Sequence, residues 1–106
     1  MDIREIKKLI LKYRQALVAN NILPDMIILF GSYAKGNFRQ DSDIDIAVIS
    51  NDFHDNDFDE KVLLNKISAK IDSRIQATSF SVKKYLSKNS ASPLLDEIKK
   101  TGTLLF

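Results

Sequence analysis

The sequence predicts an α+β domain in which a small mixed β-sheet is covered by helices. Three observations predict it. Apolar residues recur at helical spacing near the start of the chain. Two short runs rich in β-branched residues read as strands. Helical and strand-like segments then alternate to the end, the pattern of a sheet layered with helices. The 106 residues and 44% hydrophobic content suit one globular domain spanning residues 1–106.

Each element has its own local signal. Ile3, Ile6, Ile10, Tyr13 and Leu17 recur at steps of three and four, so they form the apolar stripe of a first helix. Asp2 caps it, and Asn20-Asn21 with Pro24 ends it. Met26 to Phe30 is apolar throughout and reads as a buried strand stopped by Gly31-Ser32. Residues 33–42 form a polar connector that opens with a helical turn, and Asp41 reads as a turn residue. Ile44, Ile46 and Val48 alternate with Asp43, Asp45 and Ala47, which predicts a strand with one apolar and one acid-bearing face. An acidic loop over 51–58 leads into a helix from about Asp59 to Ile71, with Leu63, Leu64, Ile67 and Ile71 inward. Arg74 to Phe80 is a third strand, with Ile75, Ala77 and Ser79 sharing a face. A short helix at 81–86 is capped by Ser79 or Ser81. Ser92-Pro93 opens a last helix with Leu94, Leu95 and Ile98 inward and Gly102 at its end. Leu104 to Phe106 then docks or adds an edge strand.

Composition narrows the function. Without cysteine there is no disulfide and no thiolate metal site. No run approaches the roughly 18 apolar residues that span a bilayer, and the charged start MDIREIKKLI is unlike a secretory signal. A cytoplasmic protein is the expectation. Sixteen Lys/Arg against fourteen Asp/Glu leave a net charge of only +2. That balance argues against nucleic acid as a partner, despite Arg4, Lys7, Lys8, Lys12 and Arg14 on the first helix. These residues and the acids from Asp52 to Glu60 read as solvated surface, with partner docking as the other reading. His54, the one histidine, has no second His or Cys with which to hold zinc. Tyr13 belongs to the core stripe. Tyr33 reads as packing before base stacking.

The chemistry-bearing stretch is GSYAKGNFRQDSDID, residues 31–45. Asp43 and Asp45 are two apart on a strand, so they leave one face with Cα atoms about 6.5–7 Å apart. Carboxylates this close repel unless a positive charge lies between them. A pair of divalent ions roughly 3.5–4 Å apart resolves the repulsion, and hard oxygen ligands select Mg²⁺ or Mn²⁺. Gly31 allows a phosphate to approach the backbone, and the Ser32 hydroxyl and the free amides of a helical turn face the same anion. Lys35 and Arg39 add positive charge. The set suits a triphosphate.

Gly-Ser followed after ten residues by Asp-x-Asp resembles the pattern of the DNA polymerase β-like nucleotidyltransferase superfamily. GSYAKG with SDIDIAV resembles its minimal nucleotidyltransferases, and the ending SPLLDEIKKTGTLLF is similar to that family's closing helix and strand. The resemblance implies a polymerase β-like palm fold. It implies that Asp43 and Asp45 are catalytic, metal-binding carboxylates. Gly31 and Ser32 would form the phosphate-binding turn, and Lys35 would be a phosphate contact. It further implies Mg²⁺ or Mn²⁺ as cofactor and ATP as substrate. The implied reaction moves AMP onto a tyrosine hydroxyl of a HEPN-domain protein partner, as the antitoxin of a toxin–antitoxin pair. Either a homo- or a hetero-oligomer is compatible with it.

The chain departs from that family at one place. Where many relatives carry a third carboxylate, Gln76 stands, on the face opposite Ile75 and Ala77. Glutamine can ligate a metal through its carbonyl but cannot take a proton at neutral pH. Asp72 is the nearest acid that could substitute. The alternative function is therefore a catalytically weak nucleotide-binding module that neutralises a partner by binding.

Overall fold

A computed structural model describes residues 2–39, 42–55, 57–88 and 92–106. The expected Asp41 turn lies outside them. Helix α1 (Ile3–Ala19) starts at Asp2, whose carboxylate accepts from Glu5 N–H at 2.9 Å. Strand β1 (Met26–Phe30) leads through the one-turn helix α2 (Ser32–Lys35) to strand β2 (Ile44–Ser50). Helix α3 (Phe58–Ile71), strand β3 (Ile75–Ser81) and the short helix α4 (Val82–Leu86) follow. Helix α5 (Pro93–Thr101) and strand β4 (Thr103–Leu104) close the fold. Ser81 and Ser92 cap α4 and α5 through their side chains, and Pro93 takes the first position of α5.

The sheet order is β3-β2-β1-β4. β1 pairs antiparallel with both β2 and β4, while β2 and β3 are parallel and are joined through α3. The α+β class and the mixed sheet stand as expected. Leu104 to Phe106 does both things foreseen for it. Thr103 and Leu104 pair with β1, and Leu105 is buried.

Each sheet face has its own core. On one side Ile6, Ile10, Tyr13 and Leu17 of α1 and Leu64 and Ile67 of α3 pack on Ile27, Leu29, Ile44, Ile46, Val48 and Ile75. Burial pushes the Tyr13 hydroxyl pKa well up, which marks this tyrosine as core. On the other side Leu95 and Ile98 of α5 pack on Ile28, Phe30, Ala47, Ile49 and Phe80.

Three expectations need correction. Ile3 is half-exposed, so burial along α1 begins one turn in, at Ile6. Leu94 is also exposed, because it is rotated about 100° from Leu95 on the helix and leaves the sheet-facing side. The second face of β2 is acid-bearing only at its start, for Ala47 and Ile49 are fully buried beneath α5. Among the described residues no helix is long and apolar enough to cross a membrane.

Candidate nucleotide site

The site is built where β1 ends beside the start of β2. Phe30 pairs with Asp45, so the chain turns at Gly31 next to the Asp45 carboxylate. Gly31 has φ +72° and ψ −150°, a combination that only glycine adopts readily. A Cβ at Gly31 would collide with Asp45 Oδ2. Glycine is thus required twice, for the backbone conformation and for the space that the carboxylate fills. Ser32 begins α2 immediately afterwards, and no side chain caps that turn. Its first amides are left to solvent or to an anion. Gly36, at φ +78° and ψ 7°, closes the turn in the left-handed conformation.

Asp43 is exposed one residue before β2, and Asp45 is half-buried within it. Burial first, then the charges of Asp43 and Glu97, raise the Asp45 pKa above the usual carboxylate value. Asp43, just before β2, and Glu97 of α5 thus both bear on Asp45 as like charges. Lys35 Nζ donates to Glu97 Oε1 at 2.5 Å, with both side chains partly exposed. Arg39 is exposed, and its N–H donates to Ser42 Oγ at 2.7 Å.

Gln76 stands in register with Asp45 across the parallel β2–β3 pair and is exposed. It shares the Asp45 face of the sheet, as its alternation with Ile75 and Ala77 required. Asp72 is committed elsewhere. It ends α3 and accepts from Arg74 Nε at 3.0 Å and Nη2 at 2.7 Å. These bonds outweigh its partial burial and hold its carboxyl below the usual range. The structure thus brings Gly31, Ser32, Asp43, Asp45, Lys35 and Gln76 to one end of the sheet, while Asp72 is tied to Arg74.

The donor set fits a hard divalent cation. Asp43 and Asp45 are adjacent carboxylates without a basic side chain bonded to either among the described residues, and Gly31 leaves Asp45 Oδ2 uncovered by any Cβ.

Glu97 was not foreseen. It lies 62 residues from Lys35 in sequence, and only the packing of α5 on β1 brings the two together. The helical pattern of 93–101 signalled an acid flanking Leu95 and Ile98, but not which element it would face. Tyr33 is buried, stacks on Phe38 with ring centroids 4.4 Å apart, and has no hydrogen-bond partner for its hydroxyl among the described residues. Packing sets its position, as expected.

The acidic loop is more structural than expected. Asp52 accepts from Leu23 N–H, and Asp55 accepts from both the N–H and the hydroxyl of Ser81. Asp57 caps α3, while Glu60 reaches back to His54 N–H and Nδ1. His54, Asp57 and Glu60 form the one cluster of three metal-type ligands among the described residues, and these hydrogen bonds occupy it.

The model of the family described as polymerase beta, nucleotidyltransferase, matches residues 12–106. The chain belongs to this family. Among solved structures, a toxin–antitoxin with AMP-PNP is similar over 94% of this chain and 72% of its own, at 27% identity and TM-score 0.63. A mutant of the toxin–antitoxin MntA-HpeT matches all of this chain and 72% of its own, at 30% identity and TM-score 0.57. A protein from Sulfolobus solfataricus described as a nucleotidyltransferase shares the fold over 94% of this chain and 78% of its own, at 18% identity and TM-score 0.64. Among curated proteins none matches. This nucleotidyltransferase domain is accordingly of the minimal type found in MntA toxin–antitoxin structures.

Proposed function

We propose that this nucleotidyltransferase domain moves AMP from ATP to a hydroxyl of a protein partner, as the antitoxin of a HEPN toxin–antitoxin pair. The carrying observation is the Asp43–Asp45 pair beside the uncapped Gly31-Ser32 turn. The similarity to a toxin–antitoxin with AMP-PNP supports adenosine triphosphate as the donor and a protein as the partner. The cytoplasm is the compartment in which such a pair would work.

Asp43 and Asp45 would hold Mg²⁺ or Mn²⁺. Such an ion, when bound, draws charge from the triphosphate and favours attack at the α-phosphorus. The Ser32 hydroxyl and the first amides of α2 would grip phosphate oxygens, with Lys35 and Arg39 adding positive charge. The acceptor oxygen forms a bond to the α-phosphorus as the bond from that phosphorus to the β-phosphate oxygen breaks. Pyrophosphate leaves, and the hydroxyl proton must pass to a base. Gln76 offers no such base beside Asp45, which favours a second reading as a slow enzyme or nucleotide-holding module.

ATP labelled at the α-phosphate, incubated with the protein, Mg²⁺ and host lysate, separates the readings. Transfer predicts a labelled partner band that is lost with Asp43→Asn or Asp45→Asn. Label that survives both substitutions would overturn the assignment. Absent label, with Mg-ATP still raising the melting temperature, would establish the holding module instead.

A further inference from the structure

The two edges of the sheet differ. β4, at one edge, is only two residues long. β3, at the other, runs for seven, Ile75–Ser81, without a proline or a charged side chain. Long uncharged edges are the ones proteins usually cover, since each leaves a row of unpaired N–H and C=O groups. The Ile44 N–H donates to Arg74 C=O at 2.8 Å, which fixes the alternation of the parallel ladder. Gln76, Thr78 and Phe80 turn their backbone groups to β2, and Ile75, Ala77, Ser79 and Ser81 turn theirs outward. The outward N–H groups of Ile75 and Ser81 donate to Asp72 C=O and Asp55 Oδ1, each at 3.1 Å. Between them the backbone groups of Ala77 and Ser79 bond to nothing among the described residues. Two hollows of about 240 and 180 Å³ that share Asn65 run along this stretch, between α3 and the edge from Gln76 to Ser79.

We propose that this free edge receives an extended segment of the protein partner as a fifth strand, with an acidic residue of the segment against Lys61 and its hydroxyl-bearing residue beside Gln76. The inference deepens the transfer reading and rests on it in naming the acceptor. Unpaired backbone groups at alternate positions are matched by another extended backbone. Lys61 of α3 is the one charged side chain lining the two hollows, and it forms no ion pair among the described residues. A second copy of this chain is the poorer occupant. Antiparallel pairing of two β3 edges about Ala77 and Ser79 would place a two-fold axis beside Lys61 and set it against its own copy. A foreign segment with an acid there turns that repulsion into attraction. The edge also leads to the site. Gln76 is in register with Asp45, so a residue added beside Gln76 stands two strand spacings, about 9–10 Å, from Asp45. A long side chain on the Asp45 face of the sheet carries its hydroxyl across that gap.

The test compares the full chain with Ser79→Pro, Ser79→Ala and Lys61→Glu. Proline is tolerated where an edge N–H faces outward, so Ser79→Pro deletes one free donor and leaves the ladder to β2 intact. Ser79→Ala keeps the donor. Peptides are selected on the full chain from a random displayed library, and their affinities are measured by fluorescence anisotropy. Selected peptides should carry an acid. They should bind Ser79→Pro about two- to tenfold more weakly, the worth of one hydrogen bond, and Ser79→Ala unchanged. Lys61→Glu should select basic peptides instead. No selected peptide, or equal binding to Ser79→Pro, would overturn the strand site. So would a dimer of the full chain in sedimentation that Ser79→Pro dissociates, since the edge would then belong to a second copy. In host lysate, Ser79→Pro and Lys61→Glu should lower the label that reaches the partner from α-labelled ATP, while Mg-ATP still raises their melting temperatures. Undiminished label would overturn the acceptor role. A full chain that labels nothing would sink the transfer reading alone, because the peptide comparison decides the strand site without it.

Discussion

Replacing Gly31 by alanine tests the construction of the site more directly than removing its charges. The residue sits at φ +72° and ψ −150°, where a side chain costs about 1–3 kcal/mol. The new methyl would also meet Asp45 Oδ2, so either the turn or the carboxylate must move. The combined cost is about 2–3 kcal/mol. At roughly 4–8 °C per kcal/mol for a domain of this size, the melting temperature should fall by roughly 10–20 °C. Gly36→Ala is the internal reference. That residue also has positive φ, but a methyl there would meet no atom within 4 Å, and its conformation is left-handed helical. It should lose only about 1–2 kcal/mol. Circular dichroism gives the two melting curves, and calorimetry gives Mn²⁺-ATP affinity below the transition. Gly31→Ala should lose both stability and nucleotide, whereas Gly36→Ala should retain the nucleotide. Equal melting shifts, with nucleotide affinity unchanged in Gly31→Ala, would refute the close approach of turn and carboxylate.

Other perturbations probe the frame and the missing acid. Gln76→Glu should raise the rate of AMP transfer by about tenfold or more, since general-base assistance is typically worth about 10²–10⁴-fold; an unchanged single-turnover rate would remove Gln76 from the explanation of slow turnover. Leu95→Ala should cost about 2–5 kcal/mol by denaturant titration, because a fully buried anchor of α5 is lost. Asp72→Asn should flatten the acid side of the stability profile. The Arg74 bonds hold the folded Asp72 pKa below its unfolded value, so their contribution is complete above the unfolded carboxylate range and fades as pH falls through the folded value. Melting curves that diverge between variant and wild type as pH falls towards 3 would contradict that sign.

Much of the architecture could be read from local pattern. The spacing of Ile6, Ile10, Tyr13 and Leu17 placed α1 on the sheet, and the alternation around Ile44, Ile46 and Val48 set the face of β2 that meets it. The Gly31-Ser32 and Asp43–Asp45 spacing placed both halves of the site at one sheet end. What escaped the sequence depended on contacts between distant segments. The burial of Ala47 required knowing that α5 folds back over β2, which alanine alone does not signal. The acids of the loop after β2 looked like solvated charge because their partners, Leu23 N–H and Ser81, lie at least 26 residues away. Glu97 escaped for the same reason.

The two ends of β2 divide stability from chemistry. From Ile46 onward the strand is fully buried, held between α1 and α3 on one face and α5 on the other. Only at Asp43 and Asp45 does it emerge towards solvent. A strand fixed this firmly can carry carboxylates in a mutually repulsive arrangement, since the packed residues behind them oppose relaxation. The raised Asp45 pKa expresses the cost of partial burial first, and that repulsion second. In the cation-free protein the repulsion opposes folding; when a divalent ion is bound it becomes attraction that the unfolded chain cannot reproduce. The same geometry explains why Gly31 carries no side chain, why Lys35 reaches across to Glu97, and why the neutral Gln76 is tolerated beside Asp45: each limits negative charge or crowding at the one place where the sheet opens.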